Sequence, residues 1–215
     1  VFFTKLNSTA TQILFSTFLG GESLDTVNAI AIDQNGTNIL VAGTTASARY
    51  PVTPSALQTY TNGGTPLPNE GFITRFNASG QMMYSTFFGG RGDDQINGIA
   101  TDQDGSAWVI GTTNSTDLPT TFDAIQKNIA GGVTGEPYDA FVAHLDPLGQ
   151  TVNFATYLGG PRNDEGNAIA RDREGNIVVV GYTQSSGFPL TPGALQRTTG
   201  FGTNTAFIAR IGDSR

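Results

Sequence analysis

Carboxylates are the side chains of this sequence best placed to do chemistry, and they gather behind glycine pairs. Asp25 follows Gly20-Gly21, Asp93 and Asp94 follow Gly89-Gly90, and Asp164-Glu165 follow Gly159-Gly160. Glu70, Glu136 and Asp139 add further acids at the starts of later apolar segments. Oxygen-rich loops of this kind could hold Ca²⁺, a hard cation that takes six to eight oxygen ligands. Asp25, Asp93, Asp94 and Asp164 are the candidate calcium ligands, although no loop has the dense D-x-D-x-D spacing of a dedicated site. Two carboxylates held roughly 5–9 Å apart across a sugar could instead run glycoside hydrolysis. That makes a carbohydrate-active enzyme an alternative reading, against which the adjacent Asp93 and Asp94 are expected to diverge. A plainer role is also open: each Asp caps loop amides beside flexible glycines.

Other chemistry has less support. Cysteine is absent, which removes disulfides, thiol catalysis and Cys-based zinc sites. His144 is the sole histidine, and no G-x-S-x-G elbow accompanies it. It aligns with Lys5, Arg75 and Arg210, so the position reads as a solvated basic column. Arg91-Gly92-Asp93 matches an integrin-type tripeptide but reads as loop. The net charge of −7 leaves no basic surplus to displace counterions, so nucleic acid is not an expected partner. No apolar run approaches the ~20 residues that a membrane-spanning helix needs.

The elements that must position these carboxylates recur. Gly20-Gly21, Gly89-Gly90 and Gly159-Gly160 keep one spacing, and Asp33, Asp102 and Asp172 keep it too. PVTPSALQ (51–58), PTTFDAIQ (119–126) and PLTPGALQ (189–196) form a third matching set. Within one unit, a short apolar strand A (VNAIAID, 27–33) meets strand B through Asp-x-x-Gly. Such a turn lets the Asp side chain hold the turn amides while Gly takes φ > 0. A long Thr/Pro-rich connection follows, in which Thr-Pro before Ala-Leu-Gln predicts one helical turn. Strand C (GFITRF, 71–76) alternates with period 2, and strand D (MMYSTFF, 82–88) leads back to the Gly-Gly loop.

Four antiparallel strands restarting at a fixed period predict an all-β fold of β-propeller blades. Strand A suits the crowded inner position and strand D the outer one. Leu40, Trp108 and Val178 share a register expected to pack between blades. Both the Gly-Gly-acidic loops and the long connections then emerge on one face, where loops on a rigid scaffold usually carry function.

The motifs Y-S-T-F-x-G-G-x-x-D-D, N-x-I-A-x-D-x-x-G, P-x-T-x-x-A-x-Q and D-A-F-V-A-x-L resemble the bacterial seven-bladed β-propeller repeat family (SBBP-type repeats). The resemblance implies a secreted or cell-surface bacterial protein and no established reaction. Leu24-Asp25 departs from the paired Asp, and Phe122-Asp123 from the Pro-Ser or Pro-Gly of the other copies.

We read residues 1–215 as a single propeller segment, with repeats at about 1–70, 71–139 and 140–205 and a partial fourth at 206–215. The strands count as C-D, A-B-C-D, A-B-C-D and A-B-C, an incomplete ring. Because the sequence opens inside a strand pattern, it reads as a processed or excised portion of something longer. The open blade edges are expected to be covered by further repeats or by another subunit, a symmetric pair giving six blades. The expected function is a non-catalytic secreted or cell-surface module that binds a protein or surface glycan through an acidic loop face. A calcium-stabilised structural module is the further alternative.

Overall fold

The computed structural model describes residues 1–33, 35–63, 68–130, 138–199 and 204–212. Glu136, one of the acids singled out above, lies outside them. Among the described residues thirteen strands fall into four antiparallel sheets. β1 (Phe2–Leu6) and β2 (Ile13–Phe18) form a two-stranded sheet. β3 (Asp25–Ile32), β4 (Ile39–Thr45), β5 (Glu70–Phe76) and β6 (Met82–Phe88) make the first complete blade. β7 (Asp94–Thr101), β8 (Ala107–Thr113), β9 (Asp139–Leu145) and β10 (Val152–Leu158) make the second. β11 (Asp164–Arg171), β12 (Ile177–Thr183) and β13 (Thr205–Ile211) form a three-stranded sheet. This is the all-β, incomplete-propeller arrangement that the repeats imply.

The local chemistry of the turns accounts for the hairpins. Gly36, Gly105 and Gly175 close the A–B turns, and Gly80 and Gly149 the C–D turns, all in the left-handed region that an L side chain resists. Near the end of strand B a second glycine is needed for a different reason. Strand A bulges at Ile96/Gly98, and the Gln95 carbonyl comes so close to Gly111 that a Cβ there would overlap it. Gly43 and Gly181 meet the carbonyls of Thr26 and Glu165 in the same way.

Strand A of each blade packs on strand A of the next, β3 on β7 and β7 on β11, which places these strands innermost. The bulge residue secures each step: Asn28 Nδ2 donates to the Ile96 carbonyl and Asn97 Nδ2 to the Gly166 carbonyl, both at 2.9 Å. Three apolar layers fill the junctions. Phe3, Leu19, Phe72 and Phe87 lie between β1–β2 and the first blade. Leu40, Ile73, Ile99, Phe141 and Tyr157 lie between the two complete blades. Ile110, Val142, Val179 and Phe207 lie between the second blade and the last sheet. Leu40 is fully buried as its register predicts, whereas Trp108 and Val178 are only half-buried.

Two expectations are corrected. No helix occurs among the described residues, and Thr53-Pro54 forms a single turn closed by Ala56 N–H donating to Thr53 O. The segment runs on along the outer edge of strand D: Thr53 N donates to Ser85 O, Gln58 N to Thr86 Oγ1, and Phe87 N to Gln58 O. Residues 121–126 lie along β10 in the same way. Running on as irregular backbone along β6 satisfies backbone groups that a longer helical segment would leave facing β6 unpaired.

The second correction concerns the basic column of strand C. Arg75 is buried and reaches Asp33 at 3.5 Å and the Pro147 carbonyl of the next blade at 2.8 Å. His144 lies flat on Trp108, with ring centroids 4.2 Å apart, and 3.2 Å from Asp102. Arg210 pairs with Asp172 and Glu174. Arg75, His144 and Arg210 thus engage aspartates of the A–B turns, Arg210 while half exposed, and Lys5 reaches the Ala78 carbonyl of a C–D turn.

Candidate functional site

The first residue of strand A is an aspartate in all three copies, and its carboxylate organises the Gly-Gly loop. Asp94 Oδ2 accepts from Gly90 N (2.8 Å) and Ser115 Oγ (2.7 Å), and Oδ1 from Thr113 Oγ1 (2.5 Å). Asp25 accepts from Gly21 N and Thr45 Oγ1, and Asp164 from Gly160 N and Ser185 Oγ. Sequence adjacency forces Asp93 the other way. Its Oδ1 accepts from Asn69 N and Nδ2, and its Oδ2 from the Tyr138 hydroxyl at 3.4 Å. Asp93 and Asp94 thus diverge, as a strand start requires.

A second layer of acids lies beneath. Glu70 and Asp94 both flank Gly89, where a Cβ would strike the two carboxylates together. The glutamine of the P-x-T-x-x-A-x-Q motif closes this cluster. Gln58 Nε2 donates to Glu70 Oε1 (2.7 Å), and Gln58 Oε1 accepts from Gly89 N (3.2 Å). Gln126 repeats both bonds with Asp139 and Gly159. Burial first, and then the charge of Asp94, pushes Glu70 up to about 8. Burial drives Asp94 up to about 6 against its hydrogen bonds, and burial with Asp164 nearby lifts Asp139 to about 7. Burial raises Asp164 as well. Taking a carboxylate out of water without a cation disfavours the charged form.

Of the four calcium candidates, Asp25, Asp94 and Asp164 are thus each occupied with their own loop, and Asp93 with Asn69. Among the described residues no three of His, Cys, Asp or Glu converge as metal ligands would. The tripeptide Arg91-Gly92-Asp93 is pinned through Gly92 N to Ser115 Oγ and Asp93 N to Asn114 Oδ1.

A polar cleft, which sequence reasoning missed, opens at the same face between the second blade and the last sheet. It measures about 340 Å³ and is lined by Gln95, Thr112, Tyr138, Asn163, Glu165 and Tyr182, with Asp164 at its base. The hydrogen bond from Tyr182 to Glu165, and then burial, pushes that phenol up to about 12. The corresponding positions one junction earlier hold Asn69, Gln95 and Thr112 in place of Tyr138, Glu165 and Tyr182. That substitution of two tyrosines and an acid was the available signal.

At the other end of the strands Asp33 and Asp172 are held below the usual carboxylate range. Desolvation pushes Asp33 up, but the Thr37 and Asn38 amides, the Asn38 side chain and Arg75 outweigh it and hold the carboxyl below its usual range. The Asn176 side chain foremost, with Arg210 and the turn amides, holds Asp172 down to about 2. Asp102 departs from the pattern. Asp104 takes the Ser106 amide of that turn, and Asp102 instead accepts from Trp108 Nε1 (2.9 Å) and pairs with Arg171 of the next sheet. Burial keeps His144 below the ordinary histidine range despite the acids around it.

Three sheets stepped around their strand A edges with a two-stranded sheet packed beside them, and a loop face held by hydroxyls and amides, define a propeller-type binding or structural module. The SBBP beta-propeller repeat family matches residues 84–119 and 153–189, so these two segments are repeats of the kind the motifs resemble. Each match runs from strand D through the Gly-Gly loop and the next A–B pair to the Pro of the connection, and so spans a blade junction. No curated protein matches the chain. No helix among the described residues is long and apolar enough to cross a membrane.

Proposed function

We propose that the chain is a non-catalytic secreted or cell-surface propeller module that holds a polar partner, a protein or surface glycan, at the cleft between β7–β8 and β11–β12. The cleft carries this reading: Tyr138 and Tyr182 offer flat amphipathic surface, and Asn163, Gln95 and Glu165 offer hydrogen-bond groups at its rim. The acids that reach this face are Glu22 and Asp117, which are exposed, and Asp25, Asp93 and Glu165, which are half-buried, whereas Glu70, Asp94, Asp139 and Asp164 are buried beneath it. The same burial speaks for binding over hydrolysis, because a carboxylate pair sealed under the loops does not meet a sugar. The extracellular placement rests on the likeness of the repeats to SBBP-type repeats.

A glycan and peptide array probed with the wild-type chain, Tyr182→Ala with Glu165→Gln, and the exposed-site control Tyr60→Ala tests the reading. Retained partners should lose affinity about tenfold or more in the cleft variant, as for removal of a central aromatic contact, and keep it in the control. Equal binding by all three, or no retained partner, would sink it. Surface protease shaving of the producing cells checks the location.

A further inference from the structure

The walls of the polar cleft are two cross-strand pairs, Gln95 opposite Thr112 on β7–β8 and Glu165 opposite Tyr182 on β11–β12. Tyr138 is tied across the junction by its main chain: its N–H donates to Asn163 Oδ1 at 3.0 Å, and its carbonyl accepts from Asp164 N at 2.7 Å. Both phenols direct their protons at acids, Tyr182 at Glu165 and Tyr138 at Asp93 Oδ2, 3.4 Å away. Neither hydroxyl is left to donate to a sugar oxygen or to an anion. Among the described residues that line the cleft are two acids, Asp164 and Glu165, and no base.

The base of the cleft differs from the equivalent point of the other repeats. In the two complete blades a strand B threonine caps the first aspartate of strand A: Thr45 Oγ1 donates to Asp25 Oδ1, and Thr113 Oγ1 to Asp94 Oδ1. In the last sheet Thr183 Oγ1 donates to the Ser185 carbonyl at 3.5 Å. Asp164 Oδ1, on a fully buried residue, is left without a hydrogen bond of good geometry although that hydroxyl lies near it. A carboxylate oxygen held out of water without a donor is costly, and a charged donor entering from the cleft supplies what it lacks.

We propose that the group this cleft receives is an arginine side chain presented by a protein partner, an inference that rests on the cleft being the binding site proposed above. A guanidinium lays its plane on an aromatic ring while its fork of N–H groups meets carboxylate oxygens, and it is more weakly hydrated than an ammonium. Tyr182 and Glu165, directly opposite one another, offer the ring and the first carboxylate, and Asp164 Oδ1 offers the second acceptor at the base. Lysine, a compact point charge, serves the acids without the planar fork. A neutral glycan would cover Glu165 and Asp164 and bring no countercharge, which leaves the cost of desolvating them unrelieved. The net charge of −7 favours the approach of a basic partner over that of an acidic one.

The test screens the 215-residue chain against a displayed peptide library of basic, acidic and neutral sequences and against a glycan array. The double variant Tyr182→Ala with Glu165→Gln is screened alongside, and the ligands it fails to retain are the cleft ligands. They should be arginine-containing peptides. Resynthesis with citrulline, which keeps the planar shape and loses the charge, should weaken each by about tenfold or more, and lysine by less. The single change Glu165→Gln should cut the preference for arginine over citrulline by about threefold or more. Cleft ligands that are glycans, citrulline peptides that bind as well as the arginine ones, or a preference that Glu165→Gln leaves intact would each overturn the arginine assignment while the cleft itself stands. The absence of any ligand that depends on Tyr182 and Glu165 would take down both.

Discussion

At the loop end of the strands Asp94 is buried beside Glu70, and burial pushes its carboxyl up against the amides and hydroxyls that bind it. At the turn end Asp33 and Asp172 are ionised against Arg75 and Arg210. The same residue type is therefore a hydrogen-bond hub at one face, where burial pushes Asp94 and Asp164 up, and a salt-bridge partner at the other. The difference follows from what lies across the blade. Strand C starts with Glu70 or Asp139 and nears its end with Arg75, His144 or Arg210. In the two complete blades strand C thus delivers an acid to one face and a base to the other.

The comparison breaks most directly at its most buried member. Asp94→Ala removes the acceptor of Gly90 N, Thr113 and Ser115 and leaves those donors buried. A loss of about 3–5 kcal/mol is expected, a fall in Tm on the order of 10 °C by calorimetry. A fall of a degree or less would show that the loop stands without its hub. Arg75→Ala is next. It strands Asp33 beside an uncovered Pro147 carbonyl, for a loss of about 2–3 kcal/mol, and Arg75→Lys should recover part of it.

Titration sharpens the contrast because the two ends respond with opposite sign. A carboxyl whose folded pKa is raised binds its proton more tightly in the native state, so its contribution to stability falls as pH rises. For Glu70 that window runs from its ordinary value of 4.5 to about 8, and for Asp139 from 3.8 to about 7. Thermal melts should therefore drop by a few degrees between pH 5 and pH 8, on the order of 1–2 kcal/mol, and Glu70→Gln should flatten the slope. Asp172, held down to about 2, acts the other way: its contribution is present above 3.8 and is lost as pH falls through about 2. A wild-type Tm that climbs steadily from pH 5 to pH 8 would contradict the neutral-leaning loop end.

Smaller effects belong to the exposed groups. Arg210→Ala should shift Tm by less than about 2 °C, and salt should erase the shift, because its pair with Asp172 is solvent-screened. Millimolar calcium or a chelator should move Tm by under about 1 °C, since the candidate carboxylates are already occupied. A larger rise with calcium would mean that the loops exchange their hydrogen bonds for a cation.

Much of the fold was legible because its signals are local. Period-2 apolar runs, Asp-x-x-Gly turns and the recurring Gly-Gly pairs located all thirteen strands and their grouping. The site was legible only in part. Asp25, Asp94 and Asp164 were found by position, and loop capping was among their readings. Burial of Glu70, however, depends on Gln58 folding back from the connection and on Asp94 arriving from the next blade. Arg75 looked solvated because its partners, Asp33 and Pro147, are far away in the sequence. The cleft of Tyr138, Glu165 and Tyr182 gathers side chains from four strands and two loops, none of which forms a motif alone.

The amino-acid order by itself determined the repeat, the strand order and the turn geometry, since these rest on interactions among residues a few positions apart. Which carboxylates lose their charge, which bases are consumed and where a partner could enter were decided by the contact of one blade with the next. Desolvation and ion pairing depend on distances in space, and a repeat period separates those neighbours along the chain.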